Sequence, residues 1–316
     1  MSADQTPDGM AHGALAGKPT IEASIKPNIA PVIAAVAGPA QTPLVLPDPW
    51  TALRAFTPAR IALGRTGASQ PTAALLAFSL AHAQARDAVH EAFDAASMSV
   101  ELQADGLQTI VVHSRATDRP MYLRRPDLGR RLDASSGDRL RKAAEEAKAA
   151  PDLVLVVADG LSALAVSRHA QPMLNAIRAR LPGWSIGPVV LAEQSRVALG
   201  DEVGELFGAR AVALLVGERP GLSSPDSLGI YLTWAPCVGR SDAERNCISN
   251  IRPEGLNYEQ AANTLAGLLE GAKRLGASGI MLKDETPTPA TEALGARLDL
   301  ELEPIRASDA STDTTD

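Results

Sequence analysis

The chain has 316 residues, 45% of them apolar but only 3% aromatic, so Ala, Leu and Val must fill most of any core. Apolar runs such as 73–83 and 211–216 fall short of the roughly 18 to 20 residues a membrane span needs. The net charge of −7 is confined to 284–316, where nine acids face Arg297 and Arg306, and the remainder balances 28 acids with 28 bases. A balanced body offers no field for nucleic acid, and an acidic ending rich in Ser and Thr reads as a solvated tail.

The start of the chain lacks the charged, apolar and small-residue order of a signal peptide. Cys237 and Cys247 lack the clustering of a zinc site or a redox pair. Both features predict a reduced, cytoplasmic protein.

Residues 1–46 form an Ala/Pro-rich arm, with Pro27, Pro31, Pro39 and Pro43 spaced to block regular structure. Residues 47–150 read as mainly helical. A helix over 71–95 opens on proline and places Leu75, Leu76, Leu80 and Val89 on one apolar face. A second helix is expected over 135–149, with a short β-branched strand, 109–113, between the two.

The pattern changes over 151–284. The run 152–158 (DLVLVVA) has the continuous apolarity of a strand buried on both faces. Further strands are expected at 188–192, 211–216 and 279–282, with helices to about 181, over 199–207 and over 258–275. Alternating strands and helices predict an α/β fold, a Rossmann-like parallel sheet with helical crossovers. Residues 285–316 are expected to form an acidic, disordered tail.

Ligands of open parallel sheets gather beyond the carboxyl ends of the strands. Three segments fall there: 159–162 (DGLS), 193–197 (EQSRV) and 217–224 (GERPGLSS). None is a dinucleotide or nucleoside-triphosphate fingerprint. Asp159 could serve as a general base, although an Asp before Gly at a strand end is more often a turn or cap residue. Ser162 has the setting of a helix N-cap, not of a nucleophile. His82, His90, His113 and His169 are scattered and read as packing or surface groups. The arginine-rich 122–131 (YLRRPDLGRR) could grip phosphate, or pair with acids on a partner, which the balanced charge favours. No self-sufficient catalytic set emerges.

Six segments in order then carry a resemblance: 57–65 (TPARIALGR), 122–131, 157–162 (VADGLS), 196–205 (RVALGDEVGE), 217–222 (GERPGL) and 245–251 (RNCISNI). Together they resemble the small subunit of ethanolamine ammonia-lyase, over roughly residues 50–284. The resemblance implies a lyase subunit, inactive without its large partner. The enzyme would convert ethanolamine to acetaldehyde and ammonia by a radical mechanism that needs adenosylcobalamin. It also implies that the small subunit closes the cobalamin site from the nucleotide side, through Val197, Glu218 and Cys247. Without the resemblance, Val197 reads as a buried valine, Glu218 equally as half of a salt bridge, and Cys247 as a buried structural cysteine. The chain lacks the D-x-H-x-x-G segment by which some cobalamin enzymes replace the benzimidazole, so base-on binding is expected. The arm has no evident amphipathic helix of the kind that directs relatives to a bacterial microcompartment, which leaves the cytoplasm or a microcompartment as the location. The alternative is a non-catalytic cobalamin-binding or scaffold module.

Overall fold

The computed structural model describes residues 44–285; the acidic tail and nearly all of the N-terminal arm lie outside the described residues. Within them the fold is α/β, with one six-stranded sheet. The strands are β1 (Thr109–His113), β2 (Leu153–Ala158), β3 (Val189–Glu193), β4 (Ala211–Gly217), β5 (Leu228–Trp234) and β6 (Arg245–Ile251). The helices are α1 (Thr72–His90), α2 (Ala95–Ala104), α3 (Arg119–Arg124), α4 (Ala134–Glu146), α5 (Ala163–Arg180), α6 (Leu199–Leu206) and α7 (Tyr258–Leu275). No helix among the described residues is long and apolar enough to cross a membrane.

The sheet order is β1-β3-β2-β4-β5-β6. The first four strands are parallel and joined through helices, as the alternation predicts. The strand β1, within the segment read as mainly helical, is an edge of this same sheet. The last two strands depart from a purely parallel sheet, since β5 pairs antiparallel with β4 and β6 antiparallel with β5. The strand expected at 279–282 is instead a 3-10 turn, Gly279–Met281. Gly279 adopts φ of +79°, which no extended strand allows. The Asn246 side chain holds this turn, accepting from the Gly279 amide and donating to the Gly279 and Leu282 carbonyls.

Both faces of the parallel core are covered, which explains the uninterrupted apolar runs. Leu153, Leu155 and Val157 of β2 pack toward α2, α5 and α7. Val154, Val156 and Ala158 point the opposite way, toward α4 and α6. Successive strand residues alternate faces, so one six-residue strand anchors two cores.

Local capping fixes where the helices start. Ser162 accepts from the Ala165 amide at the start of α5, Asp133 from Ser136 at α4, and Asn257 from Gln260 at α7. Gly276 closes α7 in the left-handed conformation. The helix expected over 71–95 ends at His90, and a second one, α2, starts after the Asp94 cap. The expected apolar face of α1 does not meet this chain's core. Only Ala81 and Ala88 of that helix are buried, while Leu75, Leu76 and Leu80 stand exposed.

The turn after β2 depends on Gly160, at φ of +56°. A Cβ there would lie 2.3 Å from both the Gly217 carbonyl oxygen and Val216 Cγ2. Gly160→Ala is expected to destabilise the chain by about 3 kcal/mol, from overpacking plus left-handed strain. Gly183→Ala, in open space, should cost far less; equal urea midpoints for the two variants would contradict this account of the turn.

Candidate functional site at the strand ends

The loops after β2 and β3 leave toward opposite faces, α5 on one and α6 on the other, so a crevice opens between their carboxyl ends. Asp159 closes its floor. Its Oδ1 accepts from the Ser195 amide at 2.8 Å, and its Oδ2 from the Gln194 amide at 3.1 Å. Gln194, with φ of +51°, turns both amides toward the carboxylate. Arg119 Nη1 lies 3.2 Å from Oδ2 and also donates to the Gly160 carbonyl at 2.9 Å. Its Nε donates to the Val89 carbonyl at the end of α1.

Asp159 is therefore a buried structural acceptor, and its carboxylate is not available as a general base. Burial pushes its pKa up to about 6, against the opposing pull of the Ser195 amide and the Arg119 charge.

Above this floor lies a cavity of about 410 Å³, lined by Tyr122, Arg196, Val197, Glu218, Arg219 and Tyr231 among others. Its walls come from α3, the β3–α6 loop, the end of β4 and β5. Two of the three sequence-predicted residues, Val197 and Glu218, meet in it. Val197 is partly buried, just ahead of α6. Glu218 accepts from Ser227 Oγ and Ser249 Oγ, both at 2.5 Å, and from the Asn250 amide at 3.2 Å. A carboxylate offers about four acceptor positions, so one direction remains open. Among the described residues Glu218 makes no salt bridge: hydroxyls and an amide, not an arginine, hold it.

Cys247 pairs across the β5–β6 ladder with Tyr231, which places it beside the cavity. It is exposed, which corrects the reading of a buried structural cysteine. It lies on β6, an edge strand that is only half covered. Partial desolvation of the thiol by the sheet around it, together with the nearby Glu218, raises its pKa despite the exposure of the residue, and the neighbouring Tyr231 opposes this. A raised thiol is a poor nucleophile, in keeping with a packing role.

Residues 122–131 also contribute, though not mainly through their charges. Arg125 pairs with Asp127 and Arg131 with Glu202 of the same chain, while Arg124 and Arg130 make no ion pair among the described residues. The contribution is Tyr122, whose buried ring lines the cavity. Tyr122 and Tyr231 line the cavity without belonging to any motif that marks a site. With only three tyrosines in the chain, their rarity was the available signal.

A larger hollow, about 800 Å³, lies at the amino end of the sheet around Thr109, Pro151 and Pro188, with Glu146 its one charged lining group. Of its polar lining groups, Gln103 and Thr109 already bond each other and none is cationic, so the strand-end cavity is the better candidate. No cluster of potential metal ligands occurs among the described residues.

The raised Asp159 pKa has a signed consequence. Its contribution to stability is full below about pH 4, the unfolded value, and is lost as pH rises through about 6. Asp159→Asn removes that titration. The stability advantage of the unmodified chain over the variant should shrink between about pH 4 and 6 and stay flat above it. Urea unfolding across that range checks this, and a difference independent of pH would contradict it.

Residues 47–283 match the ethanolamine ammonia-lyase light chain family (EutC). The chain is 57% identical over 251 residues to the ethanolamine ammonia-lyase small subunit of Ralstonia nicotianae, covering 79% of this chain and 93% of that protein. Identity to the small subunit of Xanthomonas campestris pv. campestris is 59% over 251 residues, covering 78% and 92%. For that of Pseudomonas syringae pv. tomato it is 56% over 248 residues, covering 78% and 86%. With three quarters of its length matched at this identity, the chain belongs to the ethanolamine ammonia-lyase light chain family, the small subunits of a lyase.

Proposed function

We propose that this chain acts as the small subunit of an adenosylcobalamin-dependent ethanolamine ammonia-lyase, bound to a large subunit and contributing one wall of the cobalamin site through Val197, Glu218 and Cys247. The observation that carries the reading is convergence: Val197 and Glu218, from two different strand ends, line one cavity with Tyr231, and Cys247 stands beside that tyrosine.

The residues fit such a group. Val197 and the Tyr231 ring offer apolar surface to a corrin edge. Glu218 has one unfilled acceptor position, suited to an amide N–H or a hydroxyl, and its other contacts hold the carboxylate in place. Arg196 contributes a buried Nε with no partner among the described residues. The expected mode is base-on. When bound, adenosylcobalamin supplies the radical chemistry that takes ethanolamine to acetaldehyde and ammonia. This chain's residues do no bond-breaking; they bind, orient and exclude water. The substrate-facing groups belong to the large subunit. The location that follows is the cytoplasm or a microcompartment within it.

The test is ammonia release from ethanolamine with adenosylcobalamin, using this chain, its cognate large subunit, and the two mixed. Activity is expected only in the mixture. Glu218→Ala should raise the half-saturating cofactor concentration about tenfold or more, as loss of a hydrogen bond to a charged group does. No activity in a mixture whose chains are folded and associated would leave a binding or scaffold module as the better account.

A further inference from the structure

One wall of the strand-end cavity holds a cationic donor that no described residue satisfies. Arg196 Nε is buried and has no hydrogen-bond partner. Its Nη2 reaches only the Tyr122 carbonyl, at 3.4 Å, a long contact. Buried polar groups in folded proteins are nearly always paired, so a guanidinium N–H that no described residue satisfies, on a side chain lining a cavity, points to a partner from outside the chain. A small turn of the guanidinium reaches that partner, because Nε itself is covered.

The side chain is also held ready. Its guanidinium carbon lies 4.1 Å from the centroid of the Tyr122 ring, the stacked geometry that arginine favours. Gly129 permits this stack, because a Cβ there would come within 2.9 Å of Arg196 Cγ and 3.0 Å of the Tyr122 ring. The Arg196 amide donates to the Gly129 carbonyl at 2.8 Å. The Tyr122 hydroxyl donates to the Ser195 carbonyl at 3.1 Å, tying the platform to the loop that carries Arg196. Most of the entropy lost in fixing a long side chain is thus spent before a ligand arrives. Arg219 lines the same cavity and makes no ion pair among the described residues. The charged lining is Arg196, Arg219 and a Glu218 already engaged by three donors, an excess of cation.

We infer that Arg196, with Arg219 beside it, forms a phosphate-binding subsite that receives the phosphodiester of the cofactor's nucleotide-bearing tail. The inference rests on the cobalamin reading above and adds to it the group that anchors the tail. A guanidinium edge matches two oxygens of a phosphate, while a neutral amide of the corrin rim would leave the charge uncompensated. Inorganic phosphate shares this chemistry and is the other source of such an anion.

Equilibrium binding to the assembled complex of this chain and its large subunit separates these cases without any turnover. Cobinamide phosphate and cobinamide differ by the phosphate alone. The unmodified complex should bind the phosphorylated form about tenfold to a hundredfold more tightly, and Arg196→Gln should bring that ratio to about one. Cobinamide affinity should stay unchanged in the variant, which also reports that it folds and assembles. Arg196→Lys, which keeps the charge and loses the planar edge, should give an intermediate ratio. Excess inorganic phosphate should weaken binding of cobinamide phosphate and leave cobinamide unaffected. Equal affinity for the two corrinoids in the unmodified complex, or a ratio that survives Arg196→Gln, would overturn the subsite and leave the cobalamin reading standing. Failure to bind either corrinoid would overturn both.

Discussion

A carboxylate buried at the junction of three chain segments sets the geometry of the strand ends. Isolated in an apolar interior, the Asp159 charge would cost several kcal/mol. Two backbone amides and the Arg119 guanidinium compensate it. Each compensating group also positions something. The Gln194 and Ser195 amides fix the β3–α6 loop, and with it Arg196 and Val197. Arg119 reaches the end of α1 through the Val89 carbonyl and stacks over Tyr122, 4.8 Å from the ring centroid. A carboxyl pKa raised to about 6 shows that the compensation is incomplete. The left-handed backbone at Gln194 is a second local cost carried by the same crevice.

The antiparallel pair β5–β6 then makes the crevice into a cavity. A sheet ending at β4 would leave Glu218 at its edge with water as its partner. Instead the two added strands bring Ser227, Ser249 and the Asn250 amide to that carboxylate. They also extend the sheet face with Tyr231 and Cys247. The helix α7 covers this pair on the opposite face, through Leu265, Leu268 and Leu269. One side of β5–β6 is therefore core, and the other borders the cavity. The exposed leucines of α1 lie apart from this cavity, on a helix that buries little within the chain.

Strands β2, β3 and β4 were legible in the sequence because burial on both faces writes an unbroken apolar run, and α5 and α7 because Ser162, Asn257 and Gly276 punctuate them. The strand β6 was not. Its sequence, RNCISNI, alternates with too few apolar residues to signal a strand, since only one face of an edge strand is covered. For α1 the apolar face was readable, but periodicity does not say what covers a face. The loops that carry Glu218 and Val197 were readable by position, at strand ends, but the choice of those two residues came from the resemblance. Cys247 came from the resemblance alone, and Tyr122 was hidden among the arginines around it. Long-range pairing, such as Asp159 with Gln194 or Glu218 with Ser249, has no local signature.

The central claim is that the cofactor is held at the carboxyl ends of β3 and β4. Amide hydrogen exchange of the assembled complex, with and without adenosylcobalamin, tests it most directly. The account predicts slowed exchange confined to 194–198, 217–219 and the Tyr231–Cys247 ladder, with no change at 185–188 around the larger hollow. Unchanged exchange at the strand ends of a complex that binds the cofactor, or protection at 185–188 instead, would contradict it.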